Sequence, residues 1–187
     1  MNDDLLFKFK NGDEEAFKKI VQEYKNRLFN FIYRFTQNLE DSEDLLQDLF
    51  LRIFKSRNSY KPQEKFDNFI YKIASNLCKD YYKKIKPKIG LNEEVLISDS
   101  SIPDDKLEKK ELEEIIKKAI SSLPYNQRIV ITLLIYEEKS YAEISKITGF
   151  SIQSIKSLLF RARKNLKKIL TPATFLILFR YYYKEVL

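Results

Sequence analysis

Histidine is missing altogether from this 187-residue chain, and cysteine occurs once, as Cys78. Without His, the Ser/His/Asp and Cys/His nucleophilic arrangements cannot be assembled, and the usual zinc sites of His and several Cys go with them. One thiol forbids an internal disulfide and suits a reducing compartment. Glycine is nearly as scarce: Gly12, Gly90 and Gly149 cannot supply a G-x-G-x-x-G or a Walker A loop. No stretch approaches the roughly 18 continuous apolar residues of a bilayer span. The opening MNDDLLFKFKNGDEE has neither the basic start nor the apolar run of a signal peptide. These absences weigh against an enzyme and against any cofactor, metal or small-molecule substrate. A cytoplasmic binding protein is the expectation.

What the chain does have is charge and apolar material. Lys and Arg number 34 against 27 acids, a net charge of +7 and a pI near 9.2, which points to an anionic partner. Apolar residues make up 44%, enough for hydrophobic cores. The excess of base is uneven: 146–170 holds Lys146, Lys156, Arg161, Arg163, Lys164, Lys167 and Lys168 and no acid.

Sparse glycine and a dense 3.6-residue periodicity predict an all-α protein of two small helical domains joined by a flexible linker. After the Asn11-Gly12 turn signal, Ala16, Phe17, Ile20, Val21, Tyr24, Leu28, Phe31, Ile32 and Phe35 form one apolar stripe. A second helix is expected over about 40–55, with Leu45, Leu46, Leu49, Phe50, Ile53 and Phe54 inward, and a loop over 58–65. A third helix carries Phe66, Phe69, Ile70, Ile73, Ala74, Leu77 and Tyr81 on its buried side. Residues 1–86 therefore read as a first domain. Pro87, Gly90, Pro103 and scattered Asp and Ser make 87–107 a linker.

A second domain is expected over 108–170. One helix covers about 108–122, and a second runs from Pro124 to about Tyr136. Ser140-Tyr-Ala-Glu143 is a capping box that opens a short third helix. Gly149 supplies a tight turn, and Ser151 caps a long last helix with Ile152, Ile155, Leu159, Ala162, Leu166 and Ile169 facing inward. A short helix, a three- or four-residue turn and a longer helix match the DNA-binding helix-turn-helix. Gln153, Ser154, Lys156 and Ser157 then fall at the groove-facing start of the second helix. Arg161, Arg163, Lys164, Lys167 and Lys168 follow where phosphates would lie. The plain alternative is a helical hairpin with a solvated basic face. The tail 171–187 is strongly apolar, and Thr171-Pro172 suits the start of a further short helix folded back on this domain, with contact to an inhibitory partner protein, autoinhibition and weak membrane association as the alternatives.

Two features of the first domain point outward. Residues 40–48 carry Glu40, Asp41, Glu43, Asp44 and Asp48 and no base. Asp41, Asp44 and Asp48 share one helical face, suited to a basic protein partner, although acids in a first turn also complement the helix dipole. On the third helix, Lys72, Asn76, Lys79, Lys83 and Lys86 line the side away from the core. Tyr60, Phe66, Tyr71 and Tyr82 stand beside them. Bases interleaved with aromatics suit melted DNA, whose bases stack on rings, though such a row also serves as an ordinary solvated face.

Taken in order, these segments resemble a bacterial RNA polymerase sigma factor of the sigma-70 family, extracytoplasmic-function group, over about residues 8–170. GDEEAFKKIVQEYKNRLFNFIYRF is similar to the start of sigma domain 2. EDSEDLLQDLFLRIFK is similar to region 2.2, which in the family docks on the clamp helices of the polymerase's largest subunit. KFDNFIYKIASNLCKDYYKK is similar to regions 2.3 and 2.4, which open and read the −10 element. SSLPYNQRIVITLLIYEEKSYAEISKITGFSIQSIKSLLFRARKNLKKIL is similar to domain 4, which reads the −35 element.

The resemblance implies roles for single residues. Asp41, Asp44, Gln47, Asp48 and Phe50 would bind core polymerase. The loop Ser59–Asp67, with Tyr60, Lys61 and Phe66, would capture a flipped non-template base, and Lys72, Asn76, Lys79 and Lys83 would face the −10 DNA. Ser151, Gln153, Ser154, Lys156, Ser157, Arg161, Arg163 and Lys164 would serve the −35 element. Implied partners are core RNA polymerase (the clamp helices and the flap of the second-largest subunit), promoter DNA and an anti-sigma factor. Ser145 departs from the family, where Ala is usual, as does Leu158-Leu159-Phe160, where many relatives carry a polar residue early. A competing reading is a dimeric helix-turn-helix regulator that binds an operator without polymerase.

Overall fold

The computed structural model describes residues 3–89 and 109–182. Most of the stretch expected as a linker, 90–107, and the tail end 183–187 lie outside the described residues. The chain divides into two units between Ile85 and Lys86. Among the described residues there are nine α-helices, one 3-10 turn and no strand.

The first unit holds Asp3–Lys10 (α1), Glu14–Thr36 (α2), Leu39–Lys55 (α3), a 3-10 turn at Arg57–Ser59, and Phe66–Ile89 (α4) up to Ile85. Periodicity did not signal α1, because eight residues are too few for a stripe to stand out. Its ends are nevertheless well matched to the helix dipole, with Asp3 and Asp4 in the first turn and Lys8 and Lys10 in the last. Its anchor is Phe9, fully buried, stacked on Phe17 at 5.9 Å and edge-on to Phe66 at 5.6 Å. Gly12 (φ 88°) makes the turn out of α1, and the Asp13 side chain accepts from the Ala16 N–H at 2.9 Å to begin α2.

A second tight corner follows α2. Gln37 sits in the left-handed region (φ 53°), and Asn38 caps α3 by accepting from the Asp41 N–H at 3.0 Å. The expected stripe of α2 is buried through Ala16, Ile20, Tyr24, Leu28, Phe31, Ile32 and Phe35, and α2 packs along α3. Helix α4 runs three residues past 86, the expected end of the first domain. Pro87 has no N–H to give, yet it falls in the closing turn, where one lost helical bond does not stop the chain from reaching Ile89.

The second unit holds Lys109–Ser121 (α5), Tyr125–Ile135 (α6), Tyr141–Thr148 (α7), Ile152–Ile169 (α8) and Pro172–Tyr182 (α9). Helix α6 is buried on nearly every side, and α8 packs on it through Ile155, Leu159, Ala162 and Leu166. Polar groups set the ends. Arg128, itself buried, donates to the carbonyls of Ser121 and Leu123 and so satisfies orphan acceptors at the end of α5. Asn165 donates to Gln127 at 2.9 Å across α8 and α6. The tail helix α9 lies on α5 and α8, with Leu178 fully buried. Thr171 accepts from the Thr174 N–H at 3.2 Å, with Pro172 as the first helical residue.

Candidate docking and nucleic-acid surfaces

Three groups of side chains were expected to face outward, and the structure sorts each into surface and interior. On α3, Glu43, Asp44 and Gln47 are exposed. Asp48 lies beside them and is engaged by Arg52, one turn on, at 2.9 Å, with both side chains 44% exposed. That bond, then the Asp48 charge, hold the Arg52 guanidinium above its ordinary value. Asp41 is half-buried and accepts from the Tyr81 hydroxyl at 2.7 Å, a link from α3 to α4. Burial first, and the Asp41 bond second, push Tyr81 above its ordinary 10.0.

Phe50 lies in the core, as the apolar stripe of this helix has it, and so leaves the docking face that the family resemblance gave it. It is 9% exposed and meets Phe17 edge-on at 6.3 Å. The reason is helical phase: position 50 lies one turn from Leu46 and Ile53, on the stripe that faces α2.

The loop between α3 and α4 needs a similar correction. Lys61, Pro62, Gln63, Glu64 and Lys65 are exposed, as a binding loop requires. Tyr60 and Phe66, expected to meet DNA, are 3% and 5% exposed. Their rings meet edge-on at 5.1 Å, and Phe69 lies 5.4 Å from Tyr60. Phe66 also takes the edges of Phe9 and Tyr24. Five aromatic rings thus form a floor beneath the loop, and no face of Phe66 is left for a base. Burial raises the Tyr60 hydroxyl pKa, and that hydroxyl donates to the Glu64 carbonyl at 3.2 Å.

Beyond the loop, Lys72, Asn76, Lys79 and Lys83 are all exposed along α4. Tyr71, expected beside them, is fully buried, edge-on to Phe31 at 5.2 Å and under the Arg27 guanidinium at 5.7 Å. Cys78 is buried, a packed thiol.

In the second unit the turn chemistry stands as the residues dictated. Ser140 and Glu143 form the reciprocal capping box of α7. Gly149 takes the left-handed conformation (φ 77°), and Ser151 caps α8 by accepting from the Ser154 N–H at 3.1 Å. Ser145, the departure from the resembled family, donates to the Phe150 carbonyl at 2.6 Å and so fastens the turn between α7 and α8. On α8, Gln153, Ser154, Lys156, Ser157, Arg161, Lys164, Lys167 and Lys168 are exposed.

Two residues of α8 depart from expectation. Ile152, the first residue of α8 after the Ser151 cap, is 47% exposed rather than inward. Arg163 turns from the basic face toward α9, its guanidinium 5.3 Å from the Phe179 ring centre. Phe160, which had no assigned role, is 70% exposed among the basic residues.

Among the described residues no helix is long and apolar enough to cross a membrane, and no group of three acids or thiols is placed to hold a metal ion.

Against known proteins, residues 20–87 match the Sigma-70 region 2 family model and residues 113–166 the Sigma-70, region 4 model. The chain is 33% identical over 170 residues to the ECF RNA polymerase sigma factor SigW of Bacillus subtilis, covering 85% of this chain and 91% of that protein. It is 31% identical over 152 residues to SigM of the same organism, covering 81% and 93%. Among solved structures, the sigma factor RpoE of Bartonella quintana, in complex with the anti-sigma factor NepR, superposes with a TM-score of 0.64. That match has 24% identity and covers 83% of this chain and 96% of RpoE. CnrH, in complex with the cytosolic domain of CnrY, gives a TM-score of 0.66 at 20% identity, covering 88% and 93%.

Proposed function

The chain belongs to the sigma-70 family of RNA polymerase sigma factors, in its extracytoplasmic-function group, and from that premise we propose how its surfaces divide the work of initiation. A sigma factor binds core RNA polymerase and directs it to promoters. Here residues 1–86 would dock on the polymerase and open the −10 element, 87–107 would link, and 108–170 would read the −35 element.

On α3, Asp44, Gln47 and Asp48 would meet basic residues of the clamp helices, with Asp41 holding α3 to α4 from the edge of that face. The exposed loop 61–65 and the row Lys72, Asn76, Lys79 and Lys83 would hold the −10 DNA. Ser151, Gln153, Ser154, Lys156 and Ser157 would enter the −35 major groove, and Arg161 and Lys164 would meet phosphates. A good bidentate base contact there is worth about 1–3 kcal/mol of discrimination. Arg163 would reach phosphate only by leaving Phe179. The flap of the second-largest subunit and an anti-sigma factor are further partners on this reading, and the protein would act in the cytoplasm as a binding subunit without chemistry of its own.

One observation carries the assignment. The same helices that bury apolar stripes leave an acid-rich face on α3 and base-rich faces on α4 and α8 in solvent. The dimeric regulator is not favoured, because the region 2 match over 20–87 accounts for a first unit that such a regulator would use otherwise.

The test mixes purified protein with core polymerase from a related bacterium and fragmented genomic DNA, and sequences transcript 5′ ends. Discrete starts sharing elements near −10 and −35, absent with core alone, are the expected result. The absence of both specific starts and core binding would overturn the reading.

A further inference from the structure

We propose that Tyr24, with Asp67 and Tyr60, clamps the exposed loop 61–65 in a preformed shape, so that Tyr24 and Asp67 are positioning residues for capture of the opened −10 strand. The inference rests on the reading of that loop as the strand-capturing element. Tyr24 lies on α2, outside that loop, and Asp67 closes the loop at its α4 end.

The loop is short and polar, and its sequence alone does not fix its shape. Two tyrosine hydroxyls bracket it. On the near side Tyr60 donates to the Glu64 carbonyl at 3.2 Å, closing the loop on itself. On the far side Tyr24, on α2, donates to Asp67 Oδ1 at 2.5 Å, across 43 positions of sequence. The second carboxylate oxygen, Oδ2, faces the Arg27 guanidinium at 3.7 Å. Both tyrosine rings rest edge-on against Phe66, at 5.1 Å and 6.0 Å, so neither hydroxyl can shift without disturbing the aromatic floor.

The Tyr24 hydroxyl donates to a carboxylate, and a hydrogen bond to an ionised acceptor is stronger than a neutral pair. Tyr24 is 4% exposed, and burial together with Asp67 raises its hydroxyl pKa far above the ordinary 10.0, so it stays protonated and donating. Asp67 stands in the first turn of α4, and the bonds Glu64 N–H to Lys61 C=O and Asn68 N–H to Lys65 C=O, both 2.9 Å, carry the constraint into the loop. A loop held ready loses less conformational entropy when it closes on a flipped base, which is how a remote hydroxyl would raise affinity.

The experiment uses full-length protein in holoenzyme with core polymerase. Its probe is a non-template-strand oligonucleotide spanning the −10 element of a promoter mapped as above. Tyr24→Phe and Asp67→Ala should each weaken strand binding by about three- to tenfold, the usual worth of one hydrogen bond. The double variant should be no worse than the poorer single one. Asp67→Asn, whose amide oxygen still accepts from Tyr24 without the charge, should lose less than Asp67→Ala. Core affinity should not move in any of them.

Three results would overturn the clamp: wild-type binding by Tyr24→Phe while Lys61→Ala and Gln63→Ala weaken it, additive losses in the double variant, or Asp67→Asn failing as badly as Asp67→Ala. If Lys61→Ala and Gln63→Ala also bind like wild type, the loop reading itself fails, and that outcome is distinct. Should Tyr24→Phe lose helical signal, Asp67→Ala carries the test, since that side chain is already 27% exposed.

Discussion

Reversing the acidic face of α3 separates docking from folding, because the structure bounds what the change can cost the fold. Asp48 has one strong partner, Arg52, at 2.9 Å and with both side chains 44% exposed. A pair so open to water is worth about 0.2–1 kcal/mol. Placing Lys opposite Arg52 at i,i+4 adds about 0.2–0.5 kcal/mol of repulsion. Asp44 is exposed and its replacement removes no packed group. The double change Asp44→Lys, Asp48→Lys should therefore destabilise the first unit by about 1 kcal/mol, near 4–8 °C in Tm for a unit of this size.

The docking cost is of another order. Losing close charge pairs in an interface costs about 2–5 kcal/mol, or roughly 30-fold to several thousandfold in Kd. Arg52 sharpens the expectation, since it competes for Asp48 and presents a like charge to a basic partner. Arg52→Ala should tighten core binding by up to about fivefold, the equivalent of about 1 kcal/mol. Fluorescence titration of labelled protein with core polymerase, beside thermal circular dichroism, measures both quantities. Wild-type Kd in the double reversal, with a native dichroism spectrum, would refute the docking assignment.

The corrections at the aromatic floor give a second expectation. Phe66→Ala should remove about 3–5 kcal/mol of stability, as loss of a buried ring does, and thermal melting of the isolated protein without DNA would show it. In the second unit, Gly149→Ala meets nothing within 4 Å, so its cost comes from φ 77° alone. A lower melting temperature by about 1–2 kcal/mol equivalent, with −35 binding weakened alongside, is expected. Tyr24 and Tyr81 both hold their protons more tightly folded than the ordinary 10.0. The unfolded chain thus releases these protons first, so their contribution is full below pH 10 and declines as pH rises above it. Tyr24→Phe and Tyr81→Phe should flatten that decline in alkaline melts relative to wild type.

Much of the architecture was legible because helix patterning is local. The stripe from Ala16 to Phe35, the capping box at Ser140 and Glu143, and the turn at Gly149 each lie within a few residues of the groups they satisfy. What escaped was set by distance in sequence. Helix α1 owes its place to Phe9 meeting Phe17 and Phe66, and its eight residues show no such partner on their own. Tyr60 and Tyr71 looked like stacking residues because aromatics beside lysines fit melted DNA, and Phe66 fitted both readings, as a core residue and as a DNA contact. Composition does not say which way a ring turns, and three converging helices took these inward. Arg163 shows the same limit on α8: its phase suits the basic face, but a following helix supplied Phe179.

These polar contacts share a physical role. Apolar stripes hold helices together without fixing how far one slides or turns on another, since many nearby registers bury similar area. A directional bond between distant positions removes that freedom. Asp41 with Tyr81 fixes α3 against α4, Tyr24 with Asp67 fixes α2 against the start of α4, and Gln127 with Asn165 fixes α6 against α8. Each pair lies on a helix that carries one of the proposed binding faces. The fold would survive the loss of any one, because the buried rings and aliphatic side chains carry most of its stability. The binding faces depend on placement within fractions of an ångström, so they would feel the loss of a single hydroxyl well before the melting temperature did.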